Sequence, residues 1–440
     1  MKKGLVRTLA LVLVSAIVIS LAGCGGAPAK DKPSAGGSAG ENKKVTIRVA
    51  THWGQDYSVE ELMPYIAEYQ KLNPNVEIKY EAVPFGEYFK KVQVSHLSGD
   101  APDIYHVYSL WGVQLSRSGV IAEAPQDVVD FTKKEYAPAA LAGANFDGKI
   151  WGIPTEIDDY QLYYNKKLLA DAGYKEPPKT LEELYTMAKK ITKLKPDGTI
   201  DVAGISFMKG WESAYVHPFM SLVLSNGGRF LTDDGKKAAF NSPEGVEALE
   251  FEGKLFKEKI TDPSLDYEKL FPVDKAAFVI MAPYWKNGLK KTMGEKFSNV
   301  GIAPIPVGKS GKPNTTGYTW FFAVDKNSKV KEEAWKFLLW LNGAKSASDK
   351  TSRIGTYLTT LGVIPGRLGD QEAQPGLQDG FSKPFVEALK YTTVEPNLPM
   401  GQEIKTELAR QIEEVWYGRK TAKAALDDAA AKVNEILAQK

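Results

Sequence analysis

The chain has 440 residues, 43% hydrophobic and 25% charged, with 56 basic against 54 acidic side chains and a formal net charge of +2. This composition excludes collagen-like, coiled-coil and wholly disordered chains, and so slight a charge gives no basic face for nucleic acid. At roughly 100–200 residues per domain, the length predicts two domains or one large one.

The N-terminus carries Lys2, Lys3 and Arg7, followed by an apolar run from Leu9 to Ala22. That run is short for a membrane span and suits a signal-peptide core. It ends in Leu21-Ala22-Gly23-Cys24, which resembles the bacterial lipobox. Small residues let the backbone enter a peptidase cleft, and the thiol of Cys24, the one cysteine of the chain, is the acylation site. The resemblance implies that residues 1–23 are removed and that lipidated (palmitate-type) Cys24 anchors the protein in the cell-membrane bilayer, facing the extracellular side or periplasm. Removal of Lys2, Lys3 and Arg7 leaves 53 basic against 54 acidic side chains, a net charge of −1. Residues 24–44, rich in Gly, Ala, Pro, Ser and Lys, read as a flexible tether.

Val45 to Ala50 alternates like a strand. Ser58-Val59-Glu60-Glu61 forms a capping box predicted to open a helix that Asn73-Pro74 stops. Val76 to Tyr80 is predicted as a strand, Phe85 to Leu97 as a helix and Pro102 to Val107 as a third strand. Strand–helix–strand–helix–strand argues for an α/β sheet with right-handed crossovers. Thr180-Leu181-Glu182-Glu183 is a second capping box, and Ser242-Pro243 places a cap and an N1 proline at the start of another helix. Strands are expected at Gly204–Met208, Ala276–Met281 and Gly301–Ile305. Helices are expected at Glu332–Leu341, with Trp335 and Trp340 in the core, and over Gln402–Leu437 with a break at Gly418.

Several motifs occur in order along this pattern. They are Ser98-Gly99-Asp100-Ala101-Pro102-Asp103-Ile104, Gly148-Lys149-Ile150-Trp151-Gly152-Ile153-Pro154, Leu162-Tyr163-Tyr164-Asn165-Lys166, Asn226-Gly227-Gly228, Ala276-Ala277-Phe278-Val279-Ile280 and Glu332–Leu341. Together they resemble extracellular solute-binding protein family 1, the sugar-type receptors of ABC importers, from about Val45 to Lys440. The resemblance implies an α/β, two-lobed, periplasmic-binding-protein-like fold, each lobe a mixed β-sheet flanked by helices, with the ligand cleft at the hinge. By similarity one lobe spans 45–155 plus 308–345, and the other 156–307 plus 346–440. The implied function is capture of a carbohydrate, an oligosaccharide for preference, by hinge closure and its delivery to the transmembrane subunits of an ABC permease by a monomeric receptor that is not an enzyme.

A sugar ring has two apolar C–H faces and a hydroxyl rim, so a site needs aromatic platforms and planar hydrogen bonders. Loops after strand C-termini face such a cleft. Trp53 with Asp56 follows the first strand, and Tyr108 with Trp111 the third; Trp211 with Glu212 follows Gly204–Met208. Tyr284, or alternatively Trp285, follows Ala276–Met281, and Trp320 lies in Gly317-Tyr318-Thr319-Trp320. By similarity Asp158 is a sugar-binding carboxylate, with Tyr160 beside it. A later stacking tryptophan of the family has no counterpart here, Lys405 standing in its place.

Asp158 and Asp159 are neighbours on a strand and point to opposite faces, which makes a poor glycosidase pair. His52, His96, His106 and His217 show no metal spacing, Gly308-Lys309-Ser310 lacks the upstream glycine of a phosphate loop, and no cofactor is implied. A secreted glycosidase or lyase and a same-fold receptor for a non-sugar solute remain as alternatives.

Overall fold

The computed structural model describes residues 44–55 and 57–439. The expected signal peptide, Cys24, nearly all of the tether, and Asp56 lie outside the described residues.

Two sheets account for the two-lobed α/β architecture, and the chain visits them in turn. Strands β1 (Val45–Thr51), β2 (Val76–Ala82), β3 (Ile104–Tyr108) and β4 (Ile153–Asp159) build the first sheet. Strands β5 (Gln161–Asn165), β6 (Ile200–Ser206), β7 (Ala276–Met281) and β8 (Val300–Ala303) build the second. Strands β9 (Thr315–Val324) and β10 (Thr392–Val394) return to the first. In the first sheet β1 pairs in parallel with β2 and β3, as expected for helix-connected strands, while β9 runs antiparallel to both β3 and β4. In the second, the order is β8-β5-β7-β6, with Lys193–Leu194 at the edge.

Only Tyr160 separates β4 from β5, so one residue carries the chain from one sheet to the other. That crossing lies beyond the 155/156 boundary expected from the sequence, because β4 remains paired to β9 as far as Asp159. A second crossing runs through residues 304–314, and a third follows β10. The Tyr160 amide donates to the Thr316 carbonyl (3.2 Å), and the Thr315 hydroxyl donates to the Tyr160 carbonyl (2.6 Å), which ties the first crossing to β9.

Helices α1 (Met63–Leu72) and α2 (Phe85–Ser98) flank the first sheet. The capping box expected at Ser58 does not form, and α1 starts five residues later. The Ser58 hydroxyl accepts from the Glu60 amide (3.3 Å) in a turn before the helix, and its carbonyl accepts from the hydroxyl of Tyr357 (2.9 Å). At the second box, Thr180 caps α3 (Leu181–Ile191) by accepting from the Glu183 amide (3.1 Å), while the Glu183 carboxylate accepts from the Lys179 amide (2.6 Å). Helices α4 (Glu212–Ser225) and α5 (Pro243–Lys257) follow, the latter capped by Ser242. Then come α6 (Lys331–Asn342) and α7 (Arg353–Leu361). Helices α8 (Gly401–Trp416) and α9 (Ala422–Ala438) are separated by a turn holding Gly418 at φ +68°.

The first lobe's core gathers Ile47, Val49, Ile78 and Ile104 of the sheet with Trp335 and Leu338 of α6. Ile354, Tyr357 and Leu358 of α7 join it, so a segment expected in the second lobe packs on the first. Each fully buried side chain of this size contributes roughly 1.5–3 kcal/mol. Trp340 is half-buried and stacks on Tyr69 and on the Arg353 guanidinium instead of entering the core. None of the described helices is long and apolar enough to cross a membrane.

Candidate functional site

A cavity of about 270 Å³ opens where the crossings meet. Its first-lobe wall comes from the ends of strands. Tyr108 closes β3, and Trp320 lies directly opposite it on β9. Cross-strand partners share a face, and their rings stack at 5.2 Å. Trp320 also stacks on His106 (4.8 Å) and His52 (4.3 Å), which makes a continuous aromatic sheet. A shift of register between Thr319 and Phe321 marks a bulge in β9, a device that re-aims side chains beside sites. Tyr57, Phe85 and Val363 complete this wall. The opposite wall is Trp211, Ser213 and His217 at the start of α4, with Tyr284 after β7; Tyr160 stands between the two.

Glu156 also lines the cavity, only 3% exposed. It sits two residues before Asp158 on β4, hence on the same face. Asp158 itself is fully buried behind the wall. Its Oδ1 accepts from the Ile364 amide (2.9 Å) and its Oδ2 from the hydroxyl of Tyr318 (3.0 Å), the residue paired with it on β9. Burial raises the Asp158 carboxyl to about 7 despite those two bonds. Burial and the neighbouring Asp158 raise Glu156 well above the usual carboxylate range. Burial lowers His52 to about 3 and His106 well below the usual imidazole range, so both rings are neutral at neutral pH. The 4.0 Å approach of His106 to Glu156 is therefore not an ion pair.

A charged network lies where the third crossing meets α4 and α8. Lys405 Nζ of α8 is 2.5 Å from Glu395 Oε2, 2.6 Å from the Tyr108 hydroxyl, 3.0 Å from His217 Nε2 and 3.2 Å from Ser213 Oγ. Glu395 Oε1 accepts from Tyr108, and His217 Nδ1 lies 3.0 Å from the Tyr160 hydroxyl. Burial pushes Glu395 upward, but Lys405 and His217 outweigh it and hold the carboxyl near 2. Burial lowers Lys405 against the attraction of Glu395, and burial with Lys405 lowers His217 to about 4. The network is thus a carboxylate–ammonium pair with a neutral imidazole beside it, closed on itself.

Of the residues expected to touch ligand, Tyr108, Tyr160, Trp211, Tyr284 and Trp320 line one cavity. Four others stand elsewhere, besides Asp158. Trp53 is 1% exposed in the first core, edge-on to Tyr357 and Phe322. Trp111 is buried against Phe85 and Phe89, with Nε1 donating to Gln402 (3.1 Å). Trp285 packs on Tyr163, Tyr267 and Phe271. Glu212 opens α4 and accepts from Thr406 across to α8 (3.2 Å). Sequence reasoning missed Tyr57, Phe85 and Val363 of the wall, and the polar His52, Glu156, Ser213, His217 and Tyr318. His52 and Glu156 were within reach, one residue before Trp53 and two before Asp158. Among the described residues no group of His, Cys, Asp and Glu is placed to hold a metal ion.

The chain resembles a putative binding protein of Brucella abortus (strain 2308), at 26% identity over 85% of this chain and 90% of that one. It also resembles a maltooligosaccharide ABC transporter solute-binding lipoprotein of Streptococcus pneumoniae, at 24% identity over 100% and 99%. In structure it matches the GacH receptor of Streptomyces glaucescens with a TM-score of 0.76 and 22% identity, over 90% of this chain and 99% of that one. The family model for bacterial extracellular solute-binding proteins matches residues 55–348, more than half of the sequence. With its two lobes and the cavity between them, the chain belongs to the bacterial extracellular solute-binding proteins.

Proposed function

We propose that this protein is the lipid-anchored receptor of an ABC importer and that it captures a carbohydrate between its lobes for delivery to a membrane permease. The observation that carries the reading is the cavity wall. Trp320, Trp211, Tyr108 and Tyr284 offer ring surface to sugar C–H faces, and Tyr160 offers a hydroxyl at the crossing. The pneumococcal relative is named for maltooligosaccharides, and the structural neighbour was described with acarbose, which favours the same ligand class. A volume near the lower end of ligand pockets, ~300–1,000 Å³, suits one or two sugar rings in the enclosed part.

On this reading the protein turns nothing over. Ligand contacts from both lobes stabilise the closed arrangement, since only differential contact shifts that equilibrium. Cys24 carries the acyl chains, two of which are needed for stable anchoring, and the monomeric receptor works outside the cytoplasmic membrane. Thermal-shift measurement across mono-, di- and oligosaccharides tests the ligand class. A sugar at about 100 Kd adds ~2.7 kcal/mol and raises Tm accordingly. A panel in which only non-sugar solutes raise Tm, or in which an oligosaccharide is cleaved, overturns the reading.

A further inference from the structure

The cavity's charge is unevenly used. Lys405, 2% exposed, has three N–H groups and three oxygen acceptors around it, Glu395, the Tyr108 hydroxyl and Ser213 Oγ, so nothing remains to offer a ligand. Lys405 stands behind the wall, on Tyr108, Ser213 and His217, and no Lys and no Arg lines the cavity among the described residues. On the other wall, Glu156 Oε2 is buried without a hydrogen-bond partner, and so is His52 Nδ1. His106 Nε2 stands 4.0 Å from Glu156 Oε2 and lies 2.9 Å from the Thr155 hydroxyl. Glu156 and His52 both line the cavity, so an occupant with hydroxyls meets side chains whose hydrogen-bonding capacity is not fully used. An anionic occupant would sit in a dry aromatic cavity with no cation to face it, which is more unfavourable still.

We infer that the site selects uncharged sugars and excludes acidic ones, with Glu156 and His52 hydrogen-bonding ligand hydroxyls and Glu395 withholding Lys405 from the ligand. The inference rests on the carbohydrate reading above and adds the charge class of the sugar. A hydroxyl both donates and accepts, so it suits a carboxyl and an imidazole on one wall. A sugar carboxylate or phosphate would have to draw the ammonium away from Glu395 and leave that acid buried and unpaired.

Calorimetric titration of the full chain with matched pairs tests this: D-glucose with D-glucuronate, D-galactose with D-galacturonate, and the corresponding disaccharides. The neutral member is expected to bind, and its acidic partner at least about 30-fold more weakly, the scale of an uncompensated charge. Glu156→Gln should weaken the neutral sugar by about tenfold. Glu395→Gln frees the ammonium and should narrow the neutral-to-acidic ratio at least about fivefold. The wild-type panel needs no variant to fold. An acidic sugar binding within about threefold of its neutral partner overturns the inference and leaves the carbohydrate reading standing, as does an unchanged ratio in folded Glu395→Gln. Binding of no sugar of either kind overturns both.

Discussion

The two sides of the cavity bury acids in opposite ways. Glu395 stands on the α4–α8 side with an ammonium, a phenol and an imidazole around it, every one of them within hydrogen-bond reach. Glu156 stands among rings on the β4–β9 side, with an oxygen that nothing donates to. Both are equally hidden from solvent, at 5% and 3% exposure. Burial alone therefore says little about role: the first acid is part of how the chain holds together, and the second is incomplete until something else enters.

The largest break in that contrast is expected from Lys405→Met. It removes the one cation beside Glu395 and should destabilise the fold by about 3–5 kcal/mol, read by urea denaturation. The double variant Lys405→Met with Glu395→Gln should recover much of that loss. Two tryptophans sharpen the comparison next. Trp53→Ala should lower stability by about 3–5 kcal/mol yet change sugar affinity by less than about threefold, because its ring lies in the first core. Trp320→Ala should weaken sugar binding by about tenfold or more, measured by calorimetry, because its ring faces the cavity.

The smallest effects come from pH, and the two sides should slope in opposite directions. Asp158 titrates near 7 folded and near 3.8 unfolded, so between those values the native state binds more protons. Stability then falls as pH rises through that window, and Asp158→Asn should flatten the slope and raise Tm by a few °C at pH 8 relative to pH 4. Glu395 is held near 2 against 4.5, so its stabilisation is present above 4.5 and lost as pH falls toward 2. Glu395→Gln should therefore be most destabilising near neutrality and approach the wild type below about pH 3, as read by thermal melts across pH.

Local chemistry was legible wherever it met no competitor. Thr180 and Ser242 cap as their sequences suggest, and Gly418 breaks the last helix pair at a positive φ. Ser58 instead caps a turn, accepting from the Glu60 amide, while its carbonyl is held by Tyr357, 299 residues away. The site shows the same division at finer grain. The rule that residues after a strand face the cleft found the right loops, but within each loop only one of two neighbours turns to the cavity. His52 lines the cavity while Trp53 faces the core, and Tyr284 lines it while Trp285 packs beneath. Parity along β4 would have picked Glu156 with Asp158. The network of His217, Glu395 and Lys405 joins residues as far as 188 positions apart, and no local pattern encodes such a meeting.

Tyr160 is both the whole link between β4 and β5 and a piece of the cavity wall. A rotation of one sheet against the other across that link has the two backbone torsions of this residue as its nearest freedom. The phenol rides on the pivot, at the short end of a lever whose long arm is an entire lobe. A ligand that touches this ring therefore touches the residue through which one sheet continues into the other.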